Sequence, residues 1–204
     1  VTAADQDAET GRIEAFSDGV FAIAITLLVL DLHLPDTSKH GVLRGLVDEW
    51  PQFAAYVTSF FIIGIMWANH HSMFRSIVRA DRTLLFLNLL LLLWTTLLPF
   101  PTRLVAEHLR GGGSNAAQAE AVYSATLTLA AIAFSLIWTH AVRHGRLIAA
   151  PMSPREERRS ILRFSMGTIW YAITIGISFA SAGVALAIQF ALAGYYLFEQ
   201  VRPG

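Results

Sequence analysis

The run FSMGTIWYAITIGISFASAGVALAIQFALAGYYLF, residues 164–198, holds no Asp, Glu, Lys, Arg or His over 35 positions. As one α-helix, at about 1.5 Å per residue, it would reach about 50 Å. Bilayer hydrocarbon is only about 30 Å thick and takes about 20 apolar residues to cross. The small residues Ser181, Ala182 and Gly183 lie near its middle, so the run reads as a hairpin of two spans that turns there. Residues 53–68, 84–101 and 121–138 are three further apolar stretches. A shorter, amphipathic one comes first, from Gly19 to Leu30, bracketed by Asp18 and Asp31. The expected fold is all-α: a polytopic membrane protein of six transmembrane helices, one domain over residues 12–204, preceded by a disordered polar tail at 1–11. That tail has no basic region ahead of an apolar one and does not read as a signal peptide.

Short polar loops are expected at 35–49, 75–82, 103–120 and 143–163, the third with Gly111, Gly112, Gly113 and Ser114 at its tip. Six spans put both termini on one side. That side collects Arg12, Arg75, Arg79, Arg82, Arg143, Arg146, Arg155, Arg158, Arg159, Arg163 and Arg202, against Lys39, Arg44, Arg103 and Arg110 on the other. The excess of cations marks the cytoplasmic side, so both termini are expected in the cytoplasm.

Composition excludes several classes. Charged residues make up 15% of the chain, where soluble domains carry about 25%, and the mean hydropathy is +0.51. A formal net charge of zero gives no electrostatic footprint for nucleic acid. With no cysteine there is neither a disulfide framework nor a thiolate metal site. No nucleophile–base pattern stands out, so an enzyme is not expected, nor is a cofactor.

The first span carries the most information. Thirteen steps separate Asp18 from Asp31, about 20 Å along a helix, so at least one carboxylate is expected at membrane depth. An acid there must face protein or water, unless the helix is simply short, tilted or in a thinned bilayer. At 100° per residue, Gly19, Ile23, Thr26, Leu27 and Leu30 fall on one stripe, with Asp31 near its outer end. Asp18, Ala22, Ile25 and Val29 fall on the other side, read as the packing face. A stripe of branched aliphatics with one hydroxyl is compatible with core packing as well as with a pore. Asp18 needs a partner, and Trp67, Asn69, His70 and His71 on the second span sit at the same depth. An imidazole or indole N–H would satisfy it. Adjacent histidines point about 100° apart on a helix, unlike the i, i+4 pair of a zinc helix, so no metal site is expected. His33, His40, His108, His140 and His144 read as solvated loop or helix-end residues.

These residues carry a resemblance. Arg12-x-x-x-Phe16-Ser17-Asp18 followed by Gly19-Val20-Phe21-Ala22-Ile23-Ala24-Ile25-Thr26-Leu27 resembles the signature of the transmembrane protein 175 family, endosomal and lysosomal potassium channels and their prokaryotic relatives. Trp67-x-x-His70-His71-x-x-Phe74, Asn88, and Pro99-Phe100 fit the same family. The resemblance implies six helices per repeat, with the single-repeat prokaryotic members assembling as homotetramers in the cell membrane. It implies a central pore lined by the first helix and no potassium filter of the Thr-Val-Gly-Tyr-Gly type. By position, Ile23 would form the narrowest hydrophobic ring of the gate, with Leu27 and Leu30 as outer rings and Thr26 as a hydroxyl layer serving selectivity. Arg12, Phe16, Ser17, Asp18, Trp67, His70 and His71 would be a structural signature at the cytoplasmic end.

The function so implied is a potassium-permeable cation channel with a hydrophobic gate, passing K+ and other monovalent cations. Asp31 would attract cations at the outer mouth, or pair with Lys39 or Arg44. The alternative is a proton-coupled or other secondary transporter, a class marked by helices broken at midplane. Pro51, Pro99 and Pro101 read as span-end residues, and Gly64 and Gly176 stand alone, so that signal is weak.

Overall fold

The computed structural model describes residues 3–33, 41–150 and 152–201, with side chains over 10–33, 41–150 and 152–196. Eight α-helices follow in order: α1 Ala3–Leu27, α2 Gly41–Asp48, α3 Trp50–Phe74, α4 Arg82–Leu97, α5 Pro99–His108, α6 Gly113–Arg143, α7 Pro154–Ser178 and α8 Ala182–Val201. A 3-10 turn, Leu28–Asp31, prolongs α1. Among the described residues, five segments are long and apolar enough to cross a bilayer: Thr10–Asp31, Trp50–Phe74, Arg82–His108, Gly113–Arg143 and Pro154–Ser178. The apolar part of α8, Ala182–Tyr196, supplies the remaining, shorter helix of the six.

Several boundaries differ from the sequence reading. The hairpin turn falls at residues 179–181 rather than at Ser181–Gly183. Ser181 accepts a bond from the Val184 N–H at 3.3 Å, so it caps α8, and Ala182 and Gly183 enter the helix. A serine hydroxyl is worth more as an N-cap than inside a turn, because it satisfies an orphan N–H. The polar stretch 1–11, read as a disordered tail, is helical from Ala3 onward. The loop expected at 35–49 contains α2; Lys39 and His40 lie outside the described residues. The loop expected at 103–120 is mostly helix. Only the tight turn at 109–112 separates α5 from α6, with Gly112 and Gly113 at φ +61° and +67°, which glycine adopts without a Cβ penalty.

Pro99 and Pro101 are not at a span end. Pro99 breaks the third span between α4 and α5, since it has no N–H to bond back one turn. Leu98 bonds Thr95 at 3.2 Å, and Thr102 restarts the ladder on Leu98 at 3.1 Å.

Packing centres on α6, which touches α4, α5, α7 and α8. Its fully buried Tyr123, Leu127 and Ile137 meet Ile62 and Ile63 of α3 and Leu84 and Leu91 of α4 in one core. Polar pairs fix this packing. Ser59 Oγ lies 2.9 Å from Tyr123 Oη and 2.7 Å from Thr102 Oγ1, tying α3, α5 and α6. Gln189 of α8 donates to Ser124 Oγ at 2.8 Å and to Thr174 Oγ1 at 3.2 Å. Glu120, read as the last residue of a loop, is fully buried inside α6 and accepts from Ser124 at 3.3 Å.

At the arginine-rich end the loops are stitched together. Val78 N–H donates to Leu147 O at 2.8 Å and Ala149 N–H to Ser76 O at 3.0 Å. Asp81 caps α4 by accepting from Leu84 N–H at 2.9 Å. The same carboxylate meets His140 Nε2 at 3.0 Å and Arg146 at 3.8 Å. Burial pushes its pKa up, but the Leu84 N–H, the His140 ring and the Arg146 charge outweigh that, leaving it lowered. His140, read as solvated, is therefore a half-buried partner that joins α6 to α4. Ser153 and Glu156 form a reciprocal capping box at the start of α7, with Pro154 in the first turn.

Candidate functional site

The helix α1 sorts its side chains by depth. Thr10, Ile13, Ser17, Phe21, Ala24 and Leu28 are buried, and α1 packs against α3 and α4. This stripe has the 3.6-residue period of one helix face. The opposite face is uncovered in the single chain. It runs Arg12, Phe16, Gly19, Ile23, Thr26, Leu27, Leu30, with Ile23 58% and Leu30 75% exposed.

The stripe Asp18, Ala22, Ile25, Val29 is thus not the packing face. Asp18 and Ile25 are half-buried at its flank, while Ala22 and Val29 are exposed. The sequence reading put the packing face on that stripe. The true buried stripe lies further round, because α3 and α4 together embrace Phe21 and Ala24 rather than Ala22. Phe21, the largest side chain of the buried stripe, is 1% exposed and meets the His70 ring of α3 edge-on.

Two rows of polar contacts hold the arginine-rich half of α1 to its neighbours. In the inner row, Ser17 Oγ donates to Ile13 O at 2.8 Å. Asn88 Nδ2 of α4 donates to Ser17 Oγ at 2.9 Å, and Asn88 Oδ1 faces His70 Nε2 of α3 at 2.9 Å. Since the Asn88 oxygen can only accept, His70 Nε2 carries the proton, and its Nδ1 has no partner among the described residues. Phe74 stacks on the His70 ring at 4.2 Å and Phe21 meets it edge-on at 5.4 Å. In the outer row, Trp67 Nε1 donates to Asp18 Oδ1 at 2.9 Å, and His71 Nδ1 lies 2.6 Å from Glu14 Oε1. Trp67 and His71 stack on each other at 6.2 Å.

The residues quoted as a signature divide accordingly. Ser17, Asp18, Trp67, His70 and His71 come together. Arg12 and Phe16 do not join them; they point with Ile23, on the uncovered face. Glu14 was not singled out from the sequence. Its signal was available: two acids one turn apart, Glu14 and Asp18, oppose Trp67 and His71, also one turn apart. The two histidines serve different partners, and among the described residues no group of three His, Cys, Asp or Glu converges as a metal site would need.

Thr26 Oγ1 donates to the Ile23 carbonyl at 2.9 Å, which fixes its rotamer and leaves its oxygen lone pairs outward. At the far end, the Gln52 side-chain amide clamps the backbone of His33: its Oε1 accepts from the His33 N–H at 2.7 Å and its Nε2 donates to the His33 carbonyl at 3.1 Å. Asp31 pairs with Arg103 at 3.8 Å rather than with Arg44.

Comparison with known proteins adds to this geometry. The model of the family described as endosomal/lysosomal potassium channel TMEM175 matches residues 12–99, which take in α1 from Arg12 onward, both polar rows and the break at Pro99. A potassium channel of Streptomyces collinus is 46% identical over 194 residues, 95% of this chain and 94% of its own. The crystal structure of a lysosomal potassium-selective channel TMEM175 homologue from Chamaesiphon minutus is similar with a TM-score of 0.84 at 37% identity. It covers 96% of this chain and 100% of that one. The endosomal/lysosomal proton channel TMEM175 of Gallus gallus is 32% identical over 203 residues, 94% of this chain but 39% of that protein.

Proposed function

This chain belongs to the TMEM175 channel family, and from that premise we propose a potassium-permeable channel of a prokaryotic cell membrane, four chains around one central pore. The protein is a multi-pass membrane protein of an ion-channel family, not an enzyme. No cofactor enters the proposal, and K+ is the cargo.

The observation that carries the reading is the uncovered stripe of α1. One helix supplies one wall, so the stripe needs further copies about a symmetry axis to close a conduit. With four copies, Ile23 forms a ring that holds water poorly, and a bare cation does not cross it; Leu27 and Leu30 add rings toward the outside. Such a constriction gates by dewetting. Thr26 presents hydroxyl oxygens next to that ring, where they replace part of an ion's hydration shell. Arg103 cancels much of the Asp31 field, so cation attraction at the outer mouth is the weakest element. Glu14, Asp18, Trp67, His70 and His71 do not line the conduit; they hold α1 against α3 and α4.

Electrical recording of purified protein in bilayers tests this. Ile23→Asn wets the ring and raises basal current. Thr26→Val keeps the shape, removes the hydroxyl and lowers the preference for K+ over Na+. Ala24→Asn, on the fully buried side, lowers folded yield instead. Native mass spectrometry in mild detergent should give four chains. Unchanged currents in both stripe variants, or a conducting monomer, would remove α1 from the pore. Because the Gallus gallus relative is called a proton channel, reversal potentials under a pH gradient measure proton permeation, and slow saturable exchange without discrete currents would favour a carrier.

A further inference from the structure

A cavity of about 450 Å³ opens between α3, α6, α7 and α8, away from the uncovered face of α1. Its polarity changes along its length. Asn69, Ser72 and Arg163 stand at the arginine-rich end, while Ile62, Leu127 and Tyr171 line the part about 12–15 Å further up the helices. Part of that space lies over three small residues of α6 and α7, Ala130, Ala131 and Gly167, set among the larger Leu127, Phe134, Phe164 and Tyr171. Its walls are fixed, since Ser135 Oγ lies 3.2 Å from Phe164 O and Trp138 Nε1 donates to Ser160 at 3.0 Å.

Arg163 is the last cation before the 35 uncharged residues, so it marks the level where hydrocarbon begins. It is exposed and has no ion-pair partner among the described residues. Pockets of roughly 300–1,000 Å³ with apolar walls and a few polar groups are the common form of small-molecule sites. Basic pockets between membrane helices on the cytoplasmic side suit anionic lipid headgroups. We propose that this cavity holds an anionic glycerophospholipid of the cytoplasmic leaflet, with its phosphate at Arg163 beside Asn69 and Ser72 and one acyl chain along Ala130, Ala131 and Gly167. Charge complementarity selects this occupant: an unpaired guanidinium at headgroup depth over an apolar slot matches a phosphate with a chain attached. The assignment does not depend on conduction.

Native mass spectrometry of the whole protein, titrated with phosphatidylglycerol or with phosphatidylcholine of the same chains, tests it. The wild type retains phosphatidylglycerol in preference. Arg163→Gln lowers that preference about fivefold, the size expected of one cation at the membrane surface. Arg159→Gln, on the exposed start of the same helix, leaves it unchanged. A Cβ at Gly167 would sit 3.9 Å from Ala131 and Tyr171, so Gly167→Ala keeps the site and Gly167→Leu fills it, losing both lipids. A photoreactive side chain at Met166 gives lipid adducts in phosphatidylglycerol vesicles. Equal retention of the two lipids by the wild type overturns the proposal. So does an equal effect of Arg159→Gln and Arg163→Gln, which would mean diffuse surface charge, or crosslinking of Met166 to a second copy. If Gly167→Leu fails to fold, the arginine pair decides.

Discussion

Asn88→Leu removes the middle link of the inner polar row while nearly preserving volume. Two bonds of 2.9 Å disappear, one to Ser17 and one from His70. Ser17 keeps its own bond to Ile13, so its loss is partial. The His70 N–H becomes an unsatisfied donor on a side chain with no exposure. Such a group costs about 1–3 kcal/mol in soluble cores, whereas hydrogen bonds inside membrane proteins average about 0.6 kcal/mol with a maximum of about 1.7. Summing two bonds on the membrane scale gives an expected loss of about 1–3 kcal/mol. The measurement is folded fraction against SDS in mixed micelles. His70→Phe deletes the donor yet keeps a ring for the stack on Phe74, so the double variant should lose less than the two single losses added, by at least about 0.5 kcal/mol. Since the row ties α1 to α3 and α4, open probability should shift while ion selectivity stays. A loss under about 0.5 kcal/mol, or additive single effects, would refute the idea that Asn88 braces α1.

Trp67→Phe removes the donor to Asp18 and should destabilise by about 1.5 kcal/mol, the low end for a bond to a charged group because the pair is partly exposed; the same SDS titration reads it. Asp81 has a lowered folded pKa, so its contribution is complete above the ordinary Asp value of about 3.9 and is lost as pH falls through the lower folded value. Asp81→Asn should remove that acid step, seen as a flatter stability profile below the ordinary Asp value, and an unchanged profile would count against the cap. Glu120→Gln should leave melting unchanged or higher, because a fully buried carboxylate with no ion pair among the described residues is expensive when charged; a large loss would mean that the charge is used. The chain has no cysteine, so single cysteines report orientation: one at Ser114 should react with an impermeant reagent in intact cells, and one at Ser153 should not.

The sequence by itself determined the class, the approximate spans and the side on which the arginines lie. The class and the spans follow from burial cost: a run of 35 uncharged residues belongs in hydrocarbon, and it is too long for one crossing; the arginine side follows from the cation bias of the short loops. The motif around Phe16, Ser17 and Asp18 likewise led to the family. What hydropathy could not supply was rotation about each helix axis. In lipid both faces of a helix are apolar, so the pattern that distinguishes inside from outside in a soluble helix is faint. The wheel therefore found the Ile23 stripe but misplaced the packing face, which was settled when Phe21 and Ala24 met α3 and α4. Partnerships between distant polar residues were equally out of reach. Asp81 with His140, Asp31 with Arg103 and Glu14 with His71 each join helices far apart in sequence, and only tertiary packing brings such groups within hydrogen-bond distance.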